Sequence, residues 1–514
     1  MSKTIIIIGA GLAGLSAALQ AAENGCNVKL VSSLPSERAQ SVMAEGGINA
    51  ALNTKDENDS PEEHFTDTIK AACGLADPNA VWGMTQAAPE LVHWLLKLGV
   101  KFNMSGYDDV DLRNFGGQKK KRTAFAQSDT GKQIMTAMID AVRRKEASGM
   151  VERFSHHSFL TLRLCGNICC GCVIRDEYSQ ETVELPGDAV IVATGGMHGL
   201  FGNTTGSLSN TGEVTAELFR LGVPLANGEM IQYHPTTVKC GGKRMLISEA
   251  ARGEGGRLFA MKDGKQWYFM EEKYPELGNL MPRDITAREI WKVSHESEVF
   301  LDMTEISEEI ISNKLSGLVD DCMTYLHKDI RKEPVPVLPG IHYFMGGILV
   351  DEQHRTSIQN LYAAGECCAQ YHGANRLGGN SLLGALYGGR VAAKSACEQA
   401  DVVDLSCATQ IDFPPASQIS EIKQLNKVMQ ETMGVVRNEN TLLNGIQTVQ
   451  ALTGNLPLLG MAVLKSALAR KESRGAHWRE DYPKSNDDDY LKTTVARFDG
   501  KQIQISFVPV PERR

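Results

Sequence analysis

Hydrophobic positions in this chain fall into a few patterns, and their order outlines a fold. The apolar run at 5–8, the glycine turn Gly9-Ala10-Gly11-Leu12-Ala13-Gly14 and the apolar-rich stretch 15–22 predict strand, turn and helix, with a second strand at 28–32. A similar buried strand at 187–192 ends in the small-residue turn Ala193-Thr194-Gly195-Gly196, which returns the chain to the first sheet. Residues 160–174 followed by 181–185 predict an antiparallel ribbon with Gly166-Asn167 at its first turn. From 229 to 342 the pattern shifts to mixed charged and aromatic segments punctuated by Pro275, Pro282, Pro334, Pro336 and Pro339, which predicts an inserted domain. Glycine-rich character returns over 343–400, helical apolar periodicity runs from 417 to 470, and 490–511 read as strands.

At 514 residues, two to four domains are expected. Their division is read as 1–228 with 343–415, an inserted 229–342, a helical 416–482 and a β-rich tail 483–514. A net charge of −9 argues against a nucleic-acid or anionic-membrane surface, so positive charge for an anionic ligand must be local. No apolar run approaches the roughly 18 residues that span a bilayer. The N-terminus lacks a charged region and cleavage site, so no signal peptide is read and a cytoplasmic location is expected, with any membrane reached through partners. The 12 cysteines are then read as reduced thiols. The dense group Cys165, Cys169, Cys170 and Cys172 invites a metal reading, but in the ribbon its neighbours alternate faces, and no metal site is expected. There is no Cys-x-x-Cys-His, hence no c-type haem attachment.

The opening strand, glycine turn and helix form a dinucleotide-binding βαβ unit, with Gly9, Gly11 and Gly14 freeing the helix N-terminus for a pyrophosphate. The acidic residue that commonly ends the second strand is missing: Leu30-Val31-Ser32-Ser33-Leu34-Pro35 offers hydroxyls, which argues against a generic NAD site. The densest chemistry lies in Gly365-Glu366-Cys367-Cys368-Ala369-Gln370-Tyr371-His372-Gly373-Ala374-Asn375-Arg376-Leu377-Gly378-Gly379-Asn380-Ser381-Leu382-Leu383, where a glycine turn, a cation and polar donors run into a helix. With the opening turn, this segment resembles the fumarate reductase and succinate dehydrogenase flavoprotein family over nearly the whole chain. The resemblance implies an α/β fold: a Rossmann-like FAD-binding domain, an inserted α+β capping domain and a C-terminal helical domain.

For the cofactor the resemblance implies FAD. Its contacts would come from Gly9, Gly11, Gly14, Ser32, Ser41, Gly46, Gly47, Ala193, Thr194, Gly195, Glu366, Ser381 and Leu382. The segment Arg38-Ala39-Gln40-Ser41-Val42-Met43-Ala44-Glu45-Gly46-Gly47 is similar to the family's flavin-contact loop. Respiratory members carry there a histidine bonded to the flavin; Gln40 takes that place here, so FAD is expected without a covalent bond, at a potential favouring fumarate reduction.

A four-carbon dianion needs cations at both ends, a hydride donor and a proton donor on the opposite face. The family's dicarboxylate site implies His234 (in Gln232-Tyr233-His234-Pro235-Thr236) on one carboxylate, His342 and Arg376 on the other, and Phe115 packed on the acid. Gln232, Ser248 and Gly47 would complete the substrate contacts. Glu249 and Arg252, three apart in Ser248-Glu249-Ala250-Ala251-Arg252-Gly253, would share a helical face and resupply protons to Arg283 of Pro282-Arg283-Asp284. Arg283 would be the general acid that protonates fumarate while flavin N5 delivers hydride. A guanidinium pKa above about 12 makes a charge-stabilising Arg283, with water as the acid, the fallback.

Three departures qualify the match: Ser248 stands where threonine is usual, Lys132 replaces the histidine of a Thr-Gly-His, and Phe115-Gly116-Gly117-Gln118-Lys119 differs from the Glu-Gly-Gly-His-Ser segment of L-aspartate oxidases. That last enzyme is the nearest alternative, together with reduction of another unsaturated acid. Without its glutamate an α-ammonium would lack a partner. A non-catalytic electron-relay flavoprotein would have no use for both histidines and the Glu249/Arg252/Arg283 set. The segment Glu472-Ser473-Arg474-Gly475-Ala476-His477 resembles the part of respiratory flavoproteins beside an iron–sulfur subunit, which makes such a subunit an expected electron donor.

Overall fold

A computed structural model of the chain describes residues 2–106, 108–400, 413 and 418–514. Its central sheet has five parallel strands in the order Leu361–Ala363, Ala189–Val192, Thr4–Ile8, Asn27–Ser32 and Val151–Ser155. The continuous apolar pattern of the first strand follows from cover on both faces: Ile5 and Ile7 enter one core, Ile6 and Ile8 another. Helices Leu12–Glu23, Thr130–Ala147 and Asn380–Gln399 contribute to the first core, and the antiparallel ribbon His157–Cys165, Ile168–Asp176 and Thr182–Pro186 to the second.

The ribbon departs from simple alternation. A register shift between Arg163 and Leu164 faces Gly171 at φ 137°, a conformation that favours glycine, and returns Cys172 to the side of Cys169. Cys170 instead donates from Sγ to the Arg163 carbonyl. Ten cysteines among the described residues carry free thiols. Cys165, at the Gly166-Asn167 turn, is not among them.

A separate apolar core is built from residues 247–337 with Phe115, around the antiparallel sheet Lys265–Trp267, Arg257–Lys262, Val299–Asp302 and Val335–Pro336. The strands Ile231–Cys240, Lys243–Leu246 and Leu338–Phe344 form a further sheet. The boundary expected between 342 and 343 falls inside the strand Leu338–Phe344, and the one expected between 415 and 416 lies outside the described residues. Helices Ile419–Thr432, Glu439–Val449 and Asn455–Ala469 pack on a third core, and strands Lys492–Phe498 and Ile503–Pro509 extend a sheet that begins at Cys368–Ala369. Among the described residues no helix is long and apolar enough to cross a membrane.

Candidate active site

A cleft of about 1230 Å³ starts at the first glycine turn and ends among arginines and histidines of four chain segments. At its first end, Gly9 has φ 112°, and a Cβ there would come within 2.3 Å of the Ala193 carbonyl oxygen. Gly14 does not line the cleft as expected. A Cβ on it would sit 1.8 Å from the Gly9 carbonyl oxygen, so this glycine serves the close approach of helix and turn. The helix Leu12–Glu23 has no side-chain N-cap, and its first backbone amide meets only Ser41 Oγ, at 3.2 Å. Gly11, Ser32, Ser41, Gly46, Gly47, Ala193, Thr194, Gly195, Glu366, Ser381 and Leu382 all line the cleft.

Several features fit a bound dinucleotide. Ser32 Oγ is buried with no partner, at the strand end where a ribose would need a hydrogen bond. The unpaired amides at the helix start suit a pyrophosphate. The Glu366 carboxylate accepts from the Phe344 amide at 3.1 Å and faces His198 Nε2 at 3.6 Å. Glu45, which the sequence placed in the contact loop without a role, has a buried Oε2 without a partner. Burial, reinforced by Asp321, pushes its pKa up to about 8 against the pull of Arg113.

The other end of the cleft concentrates cations. Arg283 starts the helix Arg283–Val293 and donates from Nε to Glu249 Oε2 at 2.8 Å and from Nη1 to Gln232 Oε1 at 3.2 Å. Glu249 Oε1 lies 3.4 Å from Arg252 Nη2 and accepts the Gly116 amide at 3.0 Å. The carboxylate therefore bridges the two guanidiniums, in the order Arg252, Glu249, Arg283. Burial favours the neutral acid, but Arg283 and Arg252 outweigh it and hold the Glu249 carboxyl below its ordinary value.

Gln232 and Arg252 do not line the cleft; they support it. Gln232 Nε2 donates to Asn375 Oδ1 and to the Arg376 carbonyl, at 2.9 and 2.8 Å, so this amide links Arg283 to the loop carrying Arg376. Arg252 Nη1 donates to the Asn279 carbonyl at 2.6 Å.

Arg376 is buried, with its guanidinium 4.5 Å from the Tyr343 ring centroid, and its side chain makes no hydrogen bond to a described residue. Burial and the Arg283 charge push its pKa down to about 9, which still leaves it a cation at neutral pH. His234 and His342 stand with ring centroids 5.2 Å apart, and burial with nearby arginines keeps both well below the usual imidazole range, hence neutral. His234 Nε2 is buried without a partner. Phe115 lines the same end, against Gly46, where a Cβ would reach within 2.9 Å of the ring. Ser248 lines it too and caps the short helix Glu249–Gly253 through a 3.4 Å bond from the Ala250 amide. Among the described residues no cluster of His, Cys, Asp or Glu is placed to hold a metal ion.

Sequence reasoning missed Thr205, Tyr343 and His198. Thr205 and Tyr343 line the cleft, and His198 lies behind it against Glu366. Tyr343 adjoined a residue already singled out, whereas Thr205 and His198 lie in a loop whose composition carried no chemical signal.

The parallel sheet and the cleft running from its glycine turn define a flavin-dependent oxidoreductase: residues 4–382 match the family model described as FAD binding domain, and residues 452–513 the one described as Fumarate reductase flavoprotein C-term. The chain is 38% identical to the succinate dehydrogenase flavoprotein subunit of Bacillus subtilis, covering 100% of this chain and 98% of the relative. It is 32% identical to the 8-methylmenaquinol:fumarate reductase flavoprotein subunit of Wolinella succinogenes, covering 100% and 92%. A solved variant of E. coli quinol fumarate reductase FrdA superposes with a TM-score of 0.90 at 28% identity, covering 99% of this chain and 97% of that one. The chain belongs to the fumarate reductase and succinate dehydrogenase flavoprotein family and is an FAD-dependent oxidoreductase of that type.

Proposed function

We propose that this protein reduces fumarate to succinate on non-covalently bound FAD. The observation that carries the reading is that the cleft ends among buried donors with no partner among the described residues: Arg376 Nε and His234 Nε2. A buried cation left unpaired is costly unless a ligand pairs it, and an acid charged at both ends would bring a carboxylate to each group. In this reading residues 229–342 form a cap over the FAD-binding parts, 1–228 and 343–415, and close over the substrate.

FAD bound along the cleft supplies the hydride. Arg376 and His342 would hold one carboxylate, His234 and Ser248 the other, and Phe115 would pack on the carbon chain. Arg283 gives up a proton to the second olefinic carbon. Glu249, an ionised carboxylate in contact with both guanidiniums, holds Arg283 in place and would pass to it a replacement proton taken up from solvent by way of Arg252. Phe115, which stands where aspartate oxidases carry their glutamate, lines the cleft with a ring and offers no carboxylate to an α-ammonium, which weighs against an aspartate oxidase.

Gln40 lines the cleft and has no group able to bond the flavin, which supports non-covalent binding. Acid precipitation should release all the yellow colour into the supernatant. Dye-coupled assays should show fumarate reduction outpacing succinate oxidation at neutral pH; colour kept on the denatured chain, or faster succinate oxidation, would overturn these two points. The relatives named as subunits support an electron-donating partner subunit, and iron–sulfur protein is the class we expect to co-purify.

A further inference from the structure

The two histidines at the substrate end are neutral, and a neutral imidazole carries only one N–H. Which nitrogen bears it decides whether the ring offers a carboxylate a donor or a lone pair. His342 contacts the described residues through Nδ1, which lies 2.8 Å from Thr205 Oγ1. Its Nε2 has no hydrogen-bond partner among the described residues, and the residue lines the cleft. The two possible assignments are opposite in effect. If Thr205 donates to Nδ1, the ring hydrogen sits on Nε2 and faces the cleft. If Nδ1–H donates to Thr205, a lone pair faces the cleft and repels a carboxylate.

We propose that Thr205 is a positioning residue that donates to Nδ1 and so holds His342 in the tautomer whose Nε2–H is presented to the substrate carboxylate. Geometry favours this direction. The only other acceptor near the hydroxyl among the described residues, the Ile341 carbonyl, is 3.4 Å away, a poor competitor for the 2.8 Å contact. Thr205 is itself fixed, because its amide donates to the same carbonyl at 3.0 Å. The residue before it makes a parallel contact: Thr204 Oγ1 accepts the Gly206 amide at 3.1 Å and lies 3.0 Å from His198 Nδ1.

The inference rests on the dicarboxylate reading of the site, and the test separates the two. Thr205→Val keeps the shape and removes the donor; Thr205→Ser restores it. With reduced benzyl viologen as donor, Thr205→Val should raise the KM for fumarate about 10- to 100-fold with full FAD content, and Thr205→Ser should stay near the parent. Burial and the neighbouring Arg283 and Arg376 keep the His342 ring neutral, so the defect rests on the tautomer and not on protonation. A parent-like Thr205→Val, or a Thr205→Ser as poor as the valine variant, would overturn the proposal.

Imidazole 15N shifts of the unaltered protein, with the His342 signal identified by its loss in His342→Gln, decide the tautomer directly. Protonated Nε2 supports the assignment and protonated Nδ1 overturns it. That measurement stands even if the valine variant does not fold, or if the unaltered protein fails to reduce fumarate, an outcome that would remove the functional reading alone.

Discussion

Two parts of this molecule bury arginines, and they treat them in opposite ways. In the helical C-terminal part, Arg470 is fully buried and its N–H groups are all used: Glu229 and Glu472 carboxylates, Thr494 Oγ1 and the carbonyls of Tyr490 and Lys492 accept from it at 2.7–2.8 Å. Arg479 is held similarly by Asp481 and the carbonyls of Ala467 and Leu468. At the end of the cleft, Arg376 is also buried, with the Tyr343 ring beside it and no hydrogen-bond partner for Nε among the described residues. Fully paired buried charge ties chain segments together. Unpaired buried charge is a standing cost to the fold that a ligand of opposite sign relieves, so the difference separates scaffold from site. Arg283 is intermediate, paired to Glu249 and Gln232 yet lining the cleft, as a group that must both stay in place and exchange a proton would be.

The contrast breaks most sharply at Arg470. Arg470→Met leaves Glu229 without its guanidinium and should cost about 3–5 kcal/mol of stability, read by denaturant unfolding, with turnover per folded molecule unchanged. A change within experimental error would mean that the network does not tie the C-terminal part together. Arg283→Ala should do the reverse: turnover with saturating fumarate falls about 10²–10⁴-fold while FAD stays bound, and Arg283→Lys does not restore it, since an ammonium cannot reproduce the fork. Near-normal turnover in Arg283→Ala would place the acid elsewhere.

A smaller effect is expected at Glu45. The carboxyl ionises near 4.5 in the unfolded chain and near about 8 in the fold. Between these values the folded state binds the extra proton, so stability declines as pH rises through the window. Glu45→Gln removes that decline. The variant should melt with the parent at about pH 4 and above it at about pH 9. Equal melting temperatures at both would show that the carboxyl is not held neutral.

The scaffold was legible in the sequence where local pattern and tertiary context agree. A continuous apolar strand, a glycine turn and a helix leave one arrangement, and the run at 189–192 could only return to the same sheet. Arg376, His234, His342 and Arg283 were legible because each sits in a distinctive segment. What the sequence did not carry was anything set by distance across the fold. Spacing puts Glu249 and Arg252 on one face, but only packing shows Glu249 reaching Arg283 directly. Thr205 is an ordinary hydroxyl until Ile341 and His342 are brought beside it. Gly14 reads as a cofactor contact from its motif, though its lack of a side chain serves the Gly9 carbonyl. The ribbon cysteines follow alternation until the bulge at Gly171, which apolar pattern does not announce.

The most direct test of the central claim, that the open cations are a dicarboxylate grip, is a thermal melt of Arg376→Gln beside the unaltered protein, each with and without succinate. Without ligand the variant should be as stable as the parent or more so, because it no longer buries an unpaired charge, and the succinate-induced rise seen in the parent should vanish. A large loss of stability without ligand would make Arg376 part of the scaffold, and an undiminished rise with succinate would place the grip elsewhere.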